Sequence, residues 1–310
     1  MKNTGLAEME VSGMKRVHRF RGGWLALALL LFAAGALAEE AAPHYTLPID
    51  FSPGQPVNTD FFLSETEYED PTLKVSIHTG LTDNRTEYWY ADVEIADASQ
   101  LRTASADGFD SNAVAPGPLI ASRMNAVVAI NGDYFSYRGH DFYIRQGIEY
   151  KNHLRRTWDI LVIDEDGDFH GFKSPTNGEV GTEIDGKKII NGFCFGPLLI
   201  NGGEKMPRGY DTGMSADTKC QRMAIAQIGP LKYRVVCCAG PRSARAGQGL
   251  TLEDFREFLY GMGDIQVAYN LDGGESTMLI INGEKINSPD NPNTRDVADI
   301  IYFASAYPAE

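Results

Sequence analysis

Apolar and polar residues alternate over short segments through most of the chain, and glycine-containing turns separate these segments. Residues 74–80 (KVSIHTG) and 87–96 (EYWYADVEIA) are rich in β-branched and aromatic residues, which favour strands. Residues 158–172 contain an apolar run, an Asp/Gly turn and a second run, which predicts a hairpin. Because these short strands do not alternate with helices, the pattern argues against a doubly wound sheet.

One segment has helical periodicity, with apolar residues on one face between residues 252 and 259. Thr251 is a good N-cap with Asp254 at the third helical position, and Gly261 and Gly263 end the helix. We therefore predict an α+β fold class: a single β-rich domain of mixed sheets flanked by a few helices. This domain is expected at residues 72–308, after an irregular N-terminal extension at residues 39–71.

The N-terminus has the pattern of a secretory signal peptide. A basic cluster at residues 15–21 precedes a 14-residue apolar run, Trp24–Leu37, with small residues at Ala36 and Ala38. The run is shorter than the ~18 residues typical of a membrane span, and the alternative is an N-terminal membrane anchor. We predict a signal peptide at residues 1–38, export to the periplasm or the extracellular space, and no stable membrane span after cleavage.

Composition and charge restrict the function. The chain of 310 residues is 43% hydrophobic and 23% charged, which is ordinary globular usage and excludes a coiled coil or a largely disordered chain. A net charge of −14 disfavours nucleic acid as a partner. Residues 205–256 nevertheless hold nine Lys and Arg against four Asp and Glu. Arginine binds phosphate in bidentate fashion, so this stretch indicates either an anion site centred on PRSAR (241–245) or a solvated basic surface.

The four cysteines, Cys194, Cys220, Cys237 and Cys238, all follow the leader. An even count in an exported protein permits two disulfides, and the sequence does not choose among the three pairings. Cys237 and Cys238 are adjacent in a strand-like run and should point to opposite faces, so at least one of them can instead be a buried thiol.

Two turns at strand ends carry candidate chemistry. The first, INGDYF at residues 130–135, offers an amide and a carboxylate around a glycine that lets a ligand or a backbone approach closely. The second, YNLDGGESTM at residues 269–278, places polar side chains around a Gly-Gly turn between two apolar strands. Each turn alone is also compatible with an ordinary hairpin. The second is not G-x-S-x-G, so it does not predict a nucleophile elbow.

In their order along the chain, these segments resemble the phosphodiester glycosidase family, whose bacterial members are often labelled exopolysaccharide-related. The matching stretches are VVAINGDYF (127–135), FGPLLINGG (195–203), QRMAIAQIG (221–229), CCAGPR (237–242), GLTLEDFREFL (249–259), NLDGGESTMLIING (270–283) and Arg295. The chain departs from the family pattern at Asp133 and Met223, at AGPR where D-G-R is frequent, and at Glu275, where a glycine is usual. These departures leave an altered or lost activity open.

The resemblance implies hydrolysis of a sugar-1-phosphodiester between the anomeric carbon and the phosphate oxygen. A carboxylate would act as base or nucleophile, and arginines would stabilise the departing phosphate. Asp272 is the first candidate for the carboxylate, with Asp133 and Glu275 as rivals. The candidate substrate-binding residues are Asn131, Arg222, Arg242, Arg245, Asn270, Gly273, Gly274, Ser276 and Arg295.

The expected partner is a phosphorylated glycan or sugar-1-phosphodiester substrate of the cell envelope or the extracellular space. Two other hypotheses stay open: a non-catalytic glycan-binding protein on the same fold, and an ordinary glycoside hydrolase whose substrate has no phosphate. No cofactor is demanded by the sequence. A divalent cation such as calcium is possible, because several Asp and Asn side chains could hold one, but no ligand spacing requires it.

Overall fold

The structure is a computed structural model that describes residues 43–136, 142–154, 158–176, 178–207, 216–241, 248–289 and 295–308. The leader predicted at residues 1–38 and the arginines Arg242 and Arg245 lie outside these ranges. Among the described residues, no helix is both long enough and apolar enough to cross a bilayer.

Within the described ranges the chain forms twenty strands in three sheets and two α-helices. The largest sheet has the spatial order β1 (Phe62–Ser64), β2 (Glu67–Glu69), β3 (Leu73–Leu81), β4 (Glu87–Ile95), β16 (Lys232–Cys238), β15 (Arg222–Gly229), β17 (Val267–Leu271), β13 (Leu198–Asn201) and β14 (Glu204–Lys205).

The second sheet has the order β10 (Phe169–Phe172), β9 (Ile160–Asp164), β12 (Lys187–Phe193), β7 (Phe142–Arg145) and β8 (Ile148–Asn152), and β11 (Glu183–Ile184) pairs with β12. The third has the order β19 (Glu284–Lys285), β18 (Leu279–Ile281), β6 (Ala126–Asn131), β20 (Asp299–Ala304) and β5 (Leu101–Ser105). The helices are α1 (Gly117–Arg123) and α2 (Leu252–Gly261).

The alternation of side chains explains how the layers pack. In β15, Met223 and Ile225 face a central core that all three sheets share, while Ala224 and Ala226 face α2. Small residues on that face let the helix approach closely and bury its apolar side chains Leu252, Phe255 and Leu259. Each such burial stabilises the fold by roughly 1.5–3 kcal/mol. Helix α1 covers the outer face of the third sheet in the same way.

Several predictions are confirmed. Helix α2 begins with the expected capping box, in which Thr251 accepts from the backbone N–H of Asp254 (3.0 Å). The hairpin predicted at residues 158–172 is formed by β9 and β10. Cys237 faces the central core and Cys238 faces α2, and both are fully buried thiols. Because Cys220 is a thiol as well, the four cysteines do not form two disulfides.

Two predictions need correction. The sheets are not mixed, because every described strand pair is antiparallel. Antiparallel neighbours can be joined by short turns, whereas a parallel pair needs a long crossover. The extension at residues 39–71 is not irregular throughout, because Phe62–Ser64 and Glu67–Glu69 form the edge of the largest sheet. Tyr68 anchors this edge, since its ring is buried in the central core.

Candidate active site

The two turns singled out in the sequence meet through the side chain of Asn131. Strand β6 ends at Asn131, whose Nδ2 donates to the carbonyl oxygen of Asp272 (2.8 Å). Its Oδ1 accepts from the backbone N–H of Met278 (3.2 Å). Asn131 is only 1% exposed, so both bonds are shielded from water. One buried amide therefore holds both ends of the segment that carries the polar residues 272–276.

The backbone of that segment packs against the residue that precedes β15. A Cβ on Gly273 would lie 2.6 Å from the carbonyl oxygen of Gln221, which is too close for any side chain. Gly274 has a positive φ of 63° and donates its N–H to the same carbonyl (3.0 Å). The Gly-Gly pair thus lets the turn lie directly on the sheet, and Asp272 caps it by accepting from the Gly273 N–H (3.0 Å).

Asp272 is half-buried at this turn, close enough to Cys220 for its charge to act on the thiol. Burial raises the pKa of the Cys220 thiol, and the charge of Asp272 adds to this effect while Arg222 opposes it. The Arg222 guanidinium donates to the carbonyl oxygens of Leu250 (3.1 Å) and Thr218 (2.8 Å). Arg222 therefore ties together the backbone segments beside Asp272.

Asp133 lies in a buried cluster with Arg145 and Asp299, and none of these three side chains is exposed. Arg145 donates to Asp133 at 2.7 Å and to Asp299 at 3.3 Å. The second oxygen of Asp133 accepts from the backbone N–H of Cys194 (3.2 Å). A side chain at Gly132 would collide with the Asp299 carboxyl, so glycine is required there.

Two carboxyl groups share one guanidinium in this cluster. Burial, followed by the negative charge of Asp133, raises the pKa of Asp299 to about 7, although Arg145 opposes the shift. The Arg145 guanidinium also lies over the Phe193 ring, 4.4 Å from its centroid. The cluster is therefore a charged core that holds the strand ends of β6, β7 and β20 together.

Glu275 and Arg295 form an ion pair that is exposed to solvent, unlike the buried cluster. Their side chains are 38% and 45% exposed, with 3.8 Å between the nearest charged atoms. The Arg295 N–H also donates to the Glu275 carbonyl oxygen (3.1 Å). Two residues that the sequence analysis selected separately are therefore neighbours at the solvent side of the turn.

Asn270 and Ser276 are buried beneath the turn. Asn270 donates its Nδ2 to the Gly196 carbonyl oxygen (2.8 Å), which attaches the FGPLLINGG segment to β17. The amide oxygen of Asn270 and the Ser276 hydroxyl have no hydrogen-bond partner among the described residues. Buried polar atoms of this kind are normally bonded to ordered water or a ligand.

The structure thus brings most of the sequence-predicted residues to one place. Asp272 and the two glycines form the turn itself, Asn131 binds it from the end of β6, and Arg222 lies beside it. Arg242 and Arg245 lie outside the described residues. Arg145 and Asp299 were not among the predicted site residues. The sequence feature that could have identified them is a charged residue at the end of an apolar run, as in FYIR (142–145) and DIIYF (299–303). Such a residue must be paired when it is buried.

No group of three or more His, Cys, Asp or Glu side chains is arranged as a metal site in the ranges that the structure describes. The calcium possibility stays a prediction that needs a direct test.

The comparisons with known proteins identify the class to which this fold and site belong. The sequence model of a family described as phosphodiester glycosidase matches residues 124–304, which include both turns and the buried cluster. The chain belongs to the phosphodiester glycosidase family.

Two individual relatives are informative. The chain is 28% identical over 188 residues to the SPbeta prophage-derived uncharacterized protein YomE of Bacillus subtilis (strain 168). The match spans 59% of this chain but only 28% of that protein. A solved structure of the zebrafish N-acetylglucosamine-1-phosphodiester alpha-N-acetylglucosaminidase catalytic domain, auto-inhibited by its pro-peptide, is similar with a TM-score of 0.58. It is 17% identical, and the match covers 81% of this chain and 87% of that one, so it supports the fold.

Proposed function

We propose that this protein hydrolyses sugar-1-phosphodiesters by cleaving the bond between the anomeric carbon and the phosphate oxygen. The family membership supports a hydrolase of this class. The observation that carries the assignment to a site is the Asn131 bridge to Asp272. It holds a half-buried carboxylate at the junction of two sheets, where the backbone on both sides is rigidly supported.

In this proposal a water oxygen attaches to the anomeric carbon while the bond to the phosphate oxygen breaks. The phosphate leaves with the bonding electron pair, and Asp272 takes the proton from the water or first attacks the anomeric carbon itself. Because a phosphate monoester is a good leaving group, nearby positive charge provides much of the remaining stabilisation. Arg222 lies close enough to the Asp272 turn to add to this charge, and Arg242 and Arg245, which were predicted for the same role, lie outside the described residues.

The surroundings of the other carboxylates support different roles. Asp133 is fully buried and bonded to Arg145 and to the backbone, so we assign it as a positioning residue rather than a group that contacts substrate. Arg222 also acts by positioning, since it holds the backbone of Leu250 and Thr218. Glu275 is accessible, and we place it with Arg295 at the rim of the site.

We further propose that the substrate is a phosphorylated glycan of the cell envelope or the extracellular space. The signal-peptide pattern at residues 1–38 supports this proposal, as does the membership of the chain in the phosphodiester glycosidase family.

One observation favours a second function, non-catalytic glycan binding on the same fold. Glu275 stands where the family usually has a glycine, and it is engaged by Arg295. A protein that has lost turnover would keep the fold and the supporting residues, but it would bind a sugar phosphodiester without cleaving it.

Phosphorus NMR on a panel of sugar-1-phosphodiesters tests these alternatives. The unmutated protein should release a phosphomonoester, and Asp272→Asn should lower the rate by about 10²–10⁴-fold. Asp107→Asn is a matched control, because Asp107 is an exposed carboxylate outside the site. A sample with EDTA tests the calcium prediction.

Normal turnover by Asp272→Asn would show that another group is the catalytic carboxylate. Ligand-induced shifts without product in any sample would instead establish the glycan-binding function.

A further inference from the structure

A cavity lies on the outer face of the largest sheet, between that face and helix α2. Its volume is about 700 Å³, which is within the usual range for ligand sites. We call it the aromatic groove and define it by Tyr88, Tyr90 and Phe258 together with Arg234 and Asp264. It occupies the part of the sheet face that α2 leaves uncovered.

The three rings of the aromatic groove support one another. Tyr88 and Tyr90 are two residues apart on β4, so they point to the same face, and their ring planes differ by only 18°. Tyr88 contacts Phe258 of α2 with 4.7 Å between ring centroids. His78 of β3 stacks on Tyr90 at 4.6 Å. The groove therefore presents half-buried aromatic surface that is held in a fixed arrangement before any ligand binds.

Hydrogen bonds also fix the charged side chains beside the rings. Arg234 donates to Asp264 at 2.6 Å and to both oxygens of Asp92 at 2.5 and 3.0 Å. Glu257 is fixed by Lys205 at 2.8 Å. Aromatic surface beside ordered carboxylates matches a sugar ring, whose C–H face packs on the aromatic rings and whose hydroxyls donate to the acidic groups.

The charged side chains that line the aromatic groove determine which kinds of saccharide it can bind. Four carboxylates line the aromatic groove, those of Asp83, Asp254, Glu257 and Asp264, against the single cation Arg234 among the described lining residues. Arg234 and Lys205 offset part of this negative charge, and the excess that remains disfavours phosphate and other anions. We propose that the aromatic groove binds a saccharide segment that carries no anionic groups.

The aromatic groove also adjoins the candidate active site. Leu250 lines it, and the Leu250 carbonyl oxygen accepts from Arg222. The Leu250 N–H donates to the carbonyl of Cys220 (3.1 Å), and the next residue, Gln221, receives the Gly274 N–H. The groove and the Asp272 turn are thus connected through the backbone of Leu250, Cys220 and Gln221. If the proposed hydrolysis is correct, on which this last step rests, the groove holds the unphosphorylated part of a glycan whose phosphodiester lies at Asp272.

Binding to a panel of oligosaccharides without phosphodiester groups tests the proposal independently of turnover. The panel contains neutral glucose, mannose, galactose and N-acetylglucosamine oligomers, chitosan oligomers, and phosphorylated versions of the neutral ones. The full chain should bind at least one uncharged or amine-bearing member. Tyr90→Ala should weaken that binding about tenfold, whereas Tyr90→Phe should retain it because the ring remains.

Tyr260→Ala is the matched control, since Tyr260 is an exposed tyrosine of α2 outside the aromatic groove. Circular dichroism shows whether each variant folds, and Phe258→Ala replaces Tyr90→Ala if that variant does not. The proposal is overturned if no member binds, if the phosphorylated members bind best, or if the groove variants bind like the unmutated protein. Saccharide binding without phosphodiester hydrolysis would reject the proposed function while the groove assignment stands.

Discussion

The buried cluster of Asp133, Arg145 and Asp299 and the turn at residues 272–276 both place carboxylates near an arginine, but they differ in exposure. The side chains of the cluster are fully buried, whereas those of Glu275 and Arg295 are more than one-third exposed. The cluster can stabilise the strand ends because water does not compete for its bonds. The Glu275 and Arg295 side chains at the turn are accessible to water, so a substrate can also reach them. Accessibility therefore separates the buried Asp133 from the reactive candidate Asp272, although both follow the end of a strand beside glycine.

The largest effect expected from this difference is on stability. Arg145→Met leaves two carboxyl groups buried without a cation and should lower the free energy of unfolding by about 3–5 kcal/mol. Arg295→Met removes only an exposed partner and should cost less than about 1 kcal/mol. Urea unfolding followed by tryptophan fluorescence measures both. Arg145→Lys keeps the charge and should fall between them, and similar losses at both positions would contradict the comparison.

The next effect is on the pH dependence of stability. A carboxyl group whose pKa is raised on folding makes its full contribution below the unfolded value of about 3.9. It loses that contribution as the pH rises to the folded value, about 7 for Asp299. The unmutated protein should therefore lose stability between pH 4 and 7 relative to Asp299→Asn, which cannot ionise there. Thermal unfolding of both proteins across this range is the measurement, and parallel curves would reject the assignment.

The smallest expected effect distinguishes the two glycines of the turn. Gly273→Ala forces the turn away from the Gln221 carbonyl, whereas a methyl at Gly274 meets open space and only strains a positive φ. Gly274→Ala should cost about 1 kcal/mol or less. Gly273→Ala should in addition impair the proposed hydrolysis, because it moves Asp272. Comparing the turnover and melting temperature of the two variants checks this, and equal turnover would show that the turn tolerates displacement.

The sequence predicts the local features of this molecule well. The capping box of α2, the hairpin at residues 158–172 and the opposite faces of Cys237 and Cys238 all depend on residues close together in the chain. The direction of strand pairing was wrong, because a strand's own pattern does not specify its neighbour. The strands hidden in the N-terminal extension were missed, since each has only three residues.

The local features of the candidate site were also predictable from the sequence, whereas its long-range contacts were not. The two polar turns were recognisable from their glycines and carboxylates. The ion pairs of Arg145 join residues 12 and 154 positions away, so a charged residue in an apolar strand indicated only that some partner was required. The burial of Asp133, on which its proposed positioning role rests, could not be predicted from its place in a turn.

The Asn131 bridge has a further consequence for how the protein folds. It joins residues 141 positions apart and connects the third sheet to the end of a strand in the largest one. Contacts between such distant residues close large loops and are formed slowly. Folding intermediates that contain only one of these sheets would therefore lack the assembled turn. In a refolding experiment, recovery of catalytic turnover would follow the docking of the sheets, and it would lag behind the appearance of secondary structure.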